Sequence, residues 1–215
     1  MRQPTCRPRV LASLAACALA LVTCALAACS ARVAPGPGAT APPAAACLPG
    51  ERGYLRASLR GAIGAELDWR GAALQCEGGA RPDGRGVRVS FLGPPDAGGQ
   101  RLRLVFGVAA RAGAAATRNA PTNVTVIVEG RQRLYATQGD ERCTVESLVQ
   151  EPVPATAPPS PSPGAMLPYR IAARGYCIDP AMTLDGSARL YINRFDFAGV
   201  ARFEDNELHG PANHS

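Results

Sequence analysis

Arg101-Leu102-Arg103-Leu104-Val105-Phe106 is the stretch that decides the fold. Leu102, Leu104 and Phe106 alternate with Arg101, Arg103 and Val105, so an extended chain carries apolar side chains on one face and mostly charged ones on the other. A helix would bring Arg101 and Leu104 together on one face. The period of two therefore means a half-buried strand. The pattern continues outward. Upstream, Ile63, Ala65, Leu67 and Trp69 alternate with Gly64, Glu66, Asp68 and Arg70, and Val87, Val89 and Phe91 alternate with Arg88 and Ser90. Downstream, Val124, Val126 and Val128 alternate with Thr125, Ile127 and Glu129, and further strand-like runs cover 133–137, 144–149, 169–178 and 188–197.

Turn chemistry separates these runs. Pro82-Asp83-Gly84, Glu129-Gly130 and Asp185-Gly186 are tight-turn sequences, the last expected to join neighbouring strands in a hairpin. About eight to ten short strands at this spacing predict an all-β fold: one antiparallel β-sandwich or jelly-roll-like domain over residues 47–208. The segment 150–168 (QEPVPATAPPSPSPGAMLP) is Pro-rich enough to be expected as a long surface loop. Residues 209–215 form a polar tail.

The chain opens with Arg2, Arg7 and Arg9, an apolar stretch from Val10 to Leu26, and then Ala27-Ala28-Cys29-Ser30. A positive flank, a hydrophobic centre and small residues at a cut site form the layout of a secretory signal. Leu26-Ala27-Ala28-Cys29 resembles the lipobox of bacterial membrane lipoproteins. That resemblance implies removal of residues 1–28, acylation of the Cys29 thiol and new amine, and stable membrane anchoring, since each buried methylene contributes about 0.8 kcal/mol. Leu14-Ala15-Ala16-Cys17 spells the same four letters but has almost no hydrophobic region before it, and Cys24 follows the unsuitable Thr23. The plainer alternative is an ordinary signal cut near Ala27 or Ala31. Ser30 stands where Asp would resemble an inner-membrane retention signal. The resemblance thus implies the outer membrane, facing the periplasm, if the host has two membranes. Residues 29–46, rich in Pro, Ala and Gly, cannot bury a core and are expected to form a disordered, extended tether. Beyond the lipobox, the chain resembles tethered β-domain lipoproteins in general layout alone.

All 23 basic residues are Arg, opposed by 17 acidic ones, for a formal charge of +6. Three arginines lie within the signal and no acid does, so the remainder is close to neutral, and a nucleic-acid partner is not implied. Charge is uneven along the chain. Arginines concentrate between Arg81 and Arg133, whereas acids outnumber them from Asp140 onward. This asymmetry fits either a basic contact face for an anionic envelope polymer or headgroup, or simply Arg on the solvent face of strands. Of eight cysteines, Cys47, Cys76, Cys143 and Cys177 remain after the signal and Cys29 are set aside. An even set in an oxidising compartment reads as two disulfides, and Cys47–Cys76 with Cys143–Cys177 is the pairing that encloses contiguous segments without crossing. Zinc is disfavoured, since no CxxC spacing exists and no His lies near a cysteine.

Several chemistries are removed by composition. His209 and His214, the sole histidines, stand in the C-terminal tail, and Lys is absent. Neither Ser–His, Cys–His nor Ser–Lys catalysis has its residues in the strand region. No phosphate-binding Gly-rich loop or nucleophile elbow is present. Carboxylate chemistry remains: Glu129, Asp140, Glu141, Asp179, Asp185 and Asp196 stand near strand ends, where opposed pairs could serve glycoside hydrolysis. Tyr191, Asn193, Phe195 and Phe197 read either as an aromatic strip for sugar or peptide or as core, with the alternation broken at Asn193. No catalytic residue, metal or cofactor is assigned. The expectation is a lipid-anchored envelope protein with a non-enzymatic binding or structural domain for an envelope protein or anionic polymer. The alternative is a carboxylate-dependent glycan-active enzyme.

Overall fold

A computed structural model describes residues 47–48, 52–154 and 164–209. Cys29, the signal, residues 29–46, the centre of the Pro-rich connection and residues beyond 209 lie outside them. The described chain is all-β and antiparallel, with strands β1 (Tyr54–Gly61), β2 (Ala65–Arg70), β3 (Gln75–Ala80), β4 (Val87–Leu92), β5 (Leu102–Val108), β6 (Ala116–Val128), β7 (Arg133–Ala136), β8 (Cys143–Pro152), β9 (Met166–Cys177), β10 (Ala181–Met182) and β11 (Arg189–Glu204). A short helix, α1 (Asp205–His209), follows.

The strands form one eleven-stranded sheet rather than two separate ones. β3 to β7 are successive antiparallel neighbours, and all three turn sequences close hairpins, β3–β4, β6–β7 and β10–β11. β8 and β9 bridge from the first half of β6 to the second half of β11, while β7 and β10 bridge their other ends. The sheet curls until its halves face each other. Phe91 and Phe106, from β4 and β5, meet Phe197 of β11 with ring centroids 5.1 and 4.6 Å apart, and Phe106 meets Phe195 at 4.9 Å. These fully or almost fully buried rings are the centre of the core, together with Leu55, Leu59, Leu104, Val126, Leu148, Ile171 and Phe203.

Curling also brings β3 alongside the end of β11, although the two do not pair regularly. Gly78 allows the approach, since a Cβ there would stand 2.6 Å from the Arg88 carbonyl and 2.8 Å from that of Val200. The Cys47–Cys76 disulfide covers this seam, with the Val200 N–H 3.4 Å from Cys76 Sγ and Leu48 packed over Ala198 and Val200. The second disulfide joins Cys143 and Cys177, direct partners on β8 and β9.

Two elements differ from the sequence pattern. β3 (QCEGGA) carries no apolar alternation and is set by pairing with β4. The Pro-rich connection is shorter than composition suggests, because β8 continues through Pro152 and β9 starts at Met166. Pro168 is tolerated because its missing N–H faces the side on which β8 is ending, where its carbonyl accepts the Val153 N–H at 2.9 Å.

Candidate functional site

Inward-facing residues form a row across six strands: Ala120 (β6), Val145 (β8), Gly175 (β9), Phe195 (β11), Ala57 (β1) and Leu67 (β2). Backbone irregularities collect beside this row. On β11, Leu190 and Ile192 point inward, and so do Phe195 and Phe197; alternation permits both pairs only if one residue is extra. The chain solves this with a bulge at Asn193-Arg194, where these two residues of β11 stand opposite the single Ser58 of β1. β8 has the same conflict between Cys143 and Val145 on one parity and Leu148 and Gln150 on the other, and bulges at Glu146. Opposite it on β6, Asn119 adopts a positive φ of 51°. Gly175 sits between the bulged strands because a Cβ there would strike the Thr144 carbonyl and lie 2.7 Å from the Phe195 ring.

Bulges bend strands and re-aim side chains. Aligned at one height, these bend the outer face of β8, β9, β11, β1 and β2 into an open groove of about 910 Å³. Charged and polar side chains, Arg56, Arg174 and Arg194; Glu66, Asp68, Glu146 and Asp196; Ser58, Asn193 and Tyr176, line it together with Ala57, Leu67, Gly175 and Phe195. No apolar cavity of the kind that encloses a compact small ligand is involved.

The charges fall into two sets. On the β1–β2 side they are mutually satisfied. Asp196 accepts the Tyr54 hydroxyl at 2.8 Å, Arg56 lies 3.8 Å from Asp196 and 3.5 Å from Asp68, and Arg70 binds Asp68 at 2.7 Å. Glu66 is held by Arg60 and by the Ser58 hydroxyl. The bonds from Arg60 and Ser58 lower the proton affinity of Glu66, and that from Arg70 lowers Asp68. Burial and the bond to Asp196 push the Tyr54 hydroxyl up. On the β8–β9–β11 side, the side chains of Arg174, Arg194 and Glu146 make no ion pair or hydrogen bond among the described residues. Tyr176 is 37 % exposed and Tyr191, one outward position along β11 from Asn193, is 42 % exposed.

The residues singled out in the sequence are dispersed. Of the six acids near strand ends, Asp196 alone lines the groove. Glu129 binds Arg103 at 2.7 Å, Asp140 binds Arg81 and Asn123, and Asp179 binds Arg142 at 2.6 Å. Asp185 accepts from Thr183 and Ser187 within its turn, which hold its carboxyl down at about 2. Glu141 stands apart in the turn 140–142. Among the described residues, no three of His, Cys, Asp and Glu gather as metal ligands. Three of the arginines between Arg81 and Arg133 are tied to neighbours. Arg81 is buried between Asp83 and Asp140, Arg101 donates to the Gly93 carbonyl, and Arg103 spans Glu129 and Glu77. The aromatic strip divides at the bulge: Phe195 and Phe197 enter the core while Tyr191 and Asn193 face outward. Trp69 packs against the core with its ring on Gly93.

Arg174, Arg194, Glu146 and Tyr176 carry no sequence motif. The one signal that pointed to them is the broken alternation at Asn193 and, equally, between Val145 and Leu148. In comparisons with family models, curated proteins and solved structures, the chain matches none.

Proposed function

We propose that the protein is held at the cell envelope by lipid on Cys29 and acts as a non-enzymatic binding module whose ligand lies in the outer groove. The anchor rests on the Leu26-Ala27-Ala28-Cys29 motif behind its apolar stretch. The binding role rests on one observation above others: beside bulges at one height a groove opens whose lining includes Arg174 and Arg194, side chains without a partner among the described residues. Leaving guanidinium groups unpaired beside carboxylates favours a ligand that supplies the partners.

The glycan-hydrolase alternative has less support. A general acid needs a carboxyl held above its ordinary range. Glu66 and Asp68 are instead shifted downward by Arg60 and Arg70.

Two experiments test the reading. Cys29→Ser should abolish incorporation of labelled fatty acid and leave unprocessed precursor; continued labelling would sink the anchor. A photo-crosslinking residue at position 194 should yield a defined adduct in the native envelope, and one at position 88, on the opposite half of the sheet, should not. Equal adducts from both positions, or none from 194, would remove the groove from the binding role.

A further inference from the structure

Resting on the proposal that the groove binds a ligand, we infer that it takes a carboxylate-bearing carbohydrate chain, with Arg174 and Arg194 receiving the carboxylates. Four features of the groove converge on this class. The first is cationic and specific: among the arginines lining it, Arg56 is engaged by Asp68 and Asp196, whereas the side chains of Arg174 and Arg194 have no acceptor among the described residues. A guanidinium offers a planar fork of donors that fits a carboxylate through two parallel hydrogen bonds.

The second is aromatic. Tyr176 lines the groove from β9, where it pairs with Thr144 across the β8–β9 ladder, and it is 37 % exposed. Exposed tyrosines present a flat apolar body with a polar tip, suited to the face of a sugar ring and its hydroxyls. The third is the hydrogen-bonding lining. Asn193 offers both donors and an acceptor, and Glu146 offers acceptors only, which together meet hydroxyl groups of either sense.

The fourth is the pattern of charge. Glu66, Asp68, Glu146 and Asp196 line the same groove. A polyphosphate or nucleic-acid backbone carries charge at every repeat and would meet these carboxylates by repulsion. A sugar chain with its carboxylates separated by neutral hydroxyl-bearing faces can place anions at Arg174 and Arg194 and hydroxyls at the acids. The open groove on the outer face allows such a chain to run through rather than end.

The test uses the full chain in detergent and two probes: a hyaluronan oligosaccharide, whose carboxylates stand on alternate sugars, and the same oligosaccharide with its carboxyls methyl-esterified. Calorimetric titration should show binding of the free acid, at least tenfold weaker for the ester, and weakening as salt rises. R174Q/R194Q should lower affinity for the acid at least tenfold with an unchanged melting temperature, and Y176A should weaken binding of the acid at every salt concentration. Equal affinity for acid and ester would overturn the carboxylate assignment while leaving the groove a binding site. Full affinity in R174Q/R194Q would overturn the role of those arginines. Binding of neither probe would overturn the carbohydrate class, and the adduct experiment at position 194 decides separately whether the groove binds anything.

Discussion

Arginines in the two halves of the curled sheet stand in different settings. In β3–β5 and the turns beside them, Arg81, Arg101 and Arg103 are tied to carboxylates or carbonyls, and the ladders run without a register shift. In β8, β9 and β11 the alternation breaks twice, and Arg174 and Arg194 line a groove with no side-chain partner among the described residues. The arginine count of a region therefore does not tell which guanidiniums are tied: Arg81, Arg101 and Arg103 are, while Arg88 on β4 has no side-chain partner among the described residues. Local charge counts a side chain wherever it falls, but only unpaired charge can attract a ligand, and pairing depends on cross-strand neighbours.

The largest expected effect tests the irregular half. Gly175→Ala should cost about 3 kcal/mol or more, or prevent folding, because the new methyl meets the Thr144 carbonyl and the Phe195 ring with no flexible group to yield. Gly64→Ala, in a turn with nothing within 4 Å of the added atom, should leave stability unchanged or slightly raised. Chemical unfolding of the two variants measures the difference, and a tolerated Gly175→Ala would mean that the bulged row is not a tight fit.

A middle-sized effect contrasts the two kinds of arginine. The Arg81 side chain is 9 % exposed between Asp83 and Asp140, so Arg81→Met should cost about 2 kcal/mol by leaving Asp140 beside Asn123 without its cation. Arg174→Gln removes an exposed group with no partner and should change stability by less than about 0.5 kcal/mol. Similar losses in urea titrations of both would erase the distinction between a structural and an available arginine.

The smallest effect lies in a turn. Thr183 and Ser187 hold the Asp185 carboxyl down at about 2, below its ordinary 3.8. A carboxyl with a lowered native value contributes stability above its unfolded value and loses it as pH falls toward the native one. Asp185 should therefore contribute fully above about pH 4 and progressively less down to about pH 2. Asp185→Asn should melt slightly below the parent at pH 7, with the difference vanishing near pH 2. A difference independent of pH would assign the turn's stability to the side-chain shape instead of its charge.

Much of this architecture was legible locally. Val87–Leu92, Leu102–Val108 and Val124–Val128 declare themselves by alternation, and the hairpins by Asp83-Gly84, Glu129-Gly130 and Asp185-Gly186. The disulfides join the pairs favoured by chain spacing. β3 was not legible, because Gly78 and Gly79 erase its pattern while serving the approach to β11. The groove was legible only as a fault: the broken parity at Asn193 marks the bulge, but nothing near it names Glu146 or Arg174, which lie on other strands.

The sequence by itself determined that the chain is all-β, where it turns, which residues face inward, and that a lipobox-like Cys29 stands behind an apolar stretch. Those properties follow from neighbours one to four positions apart. The tertiary structure alone decided that one sheet curls on itself, that β3 meets β11, and that bulges on β8 and β11 fall at one height. Strand order and register join residues tens of positions apart. Whether Arg81 is bound and Arg174 free is settled by those pairings.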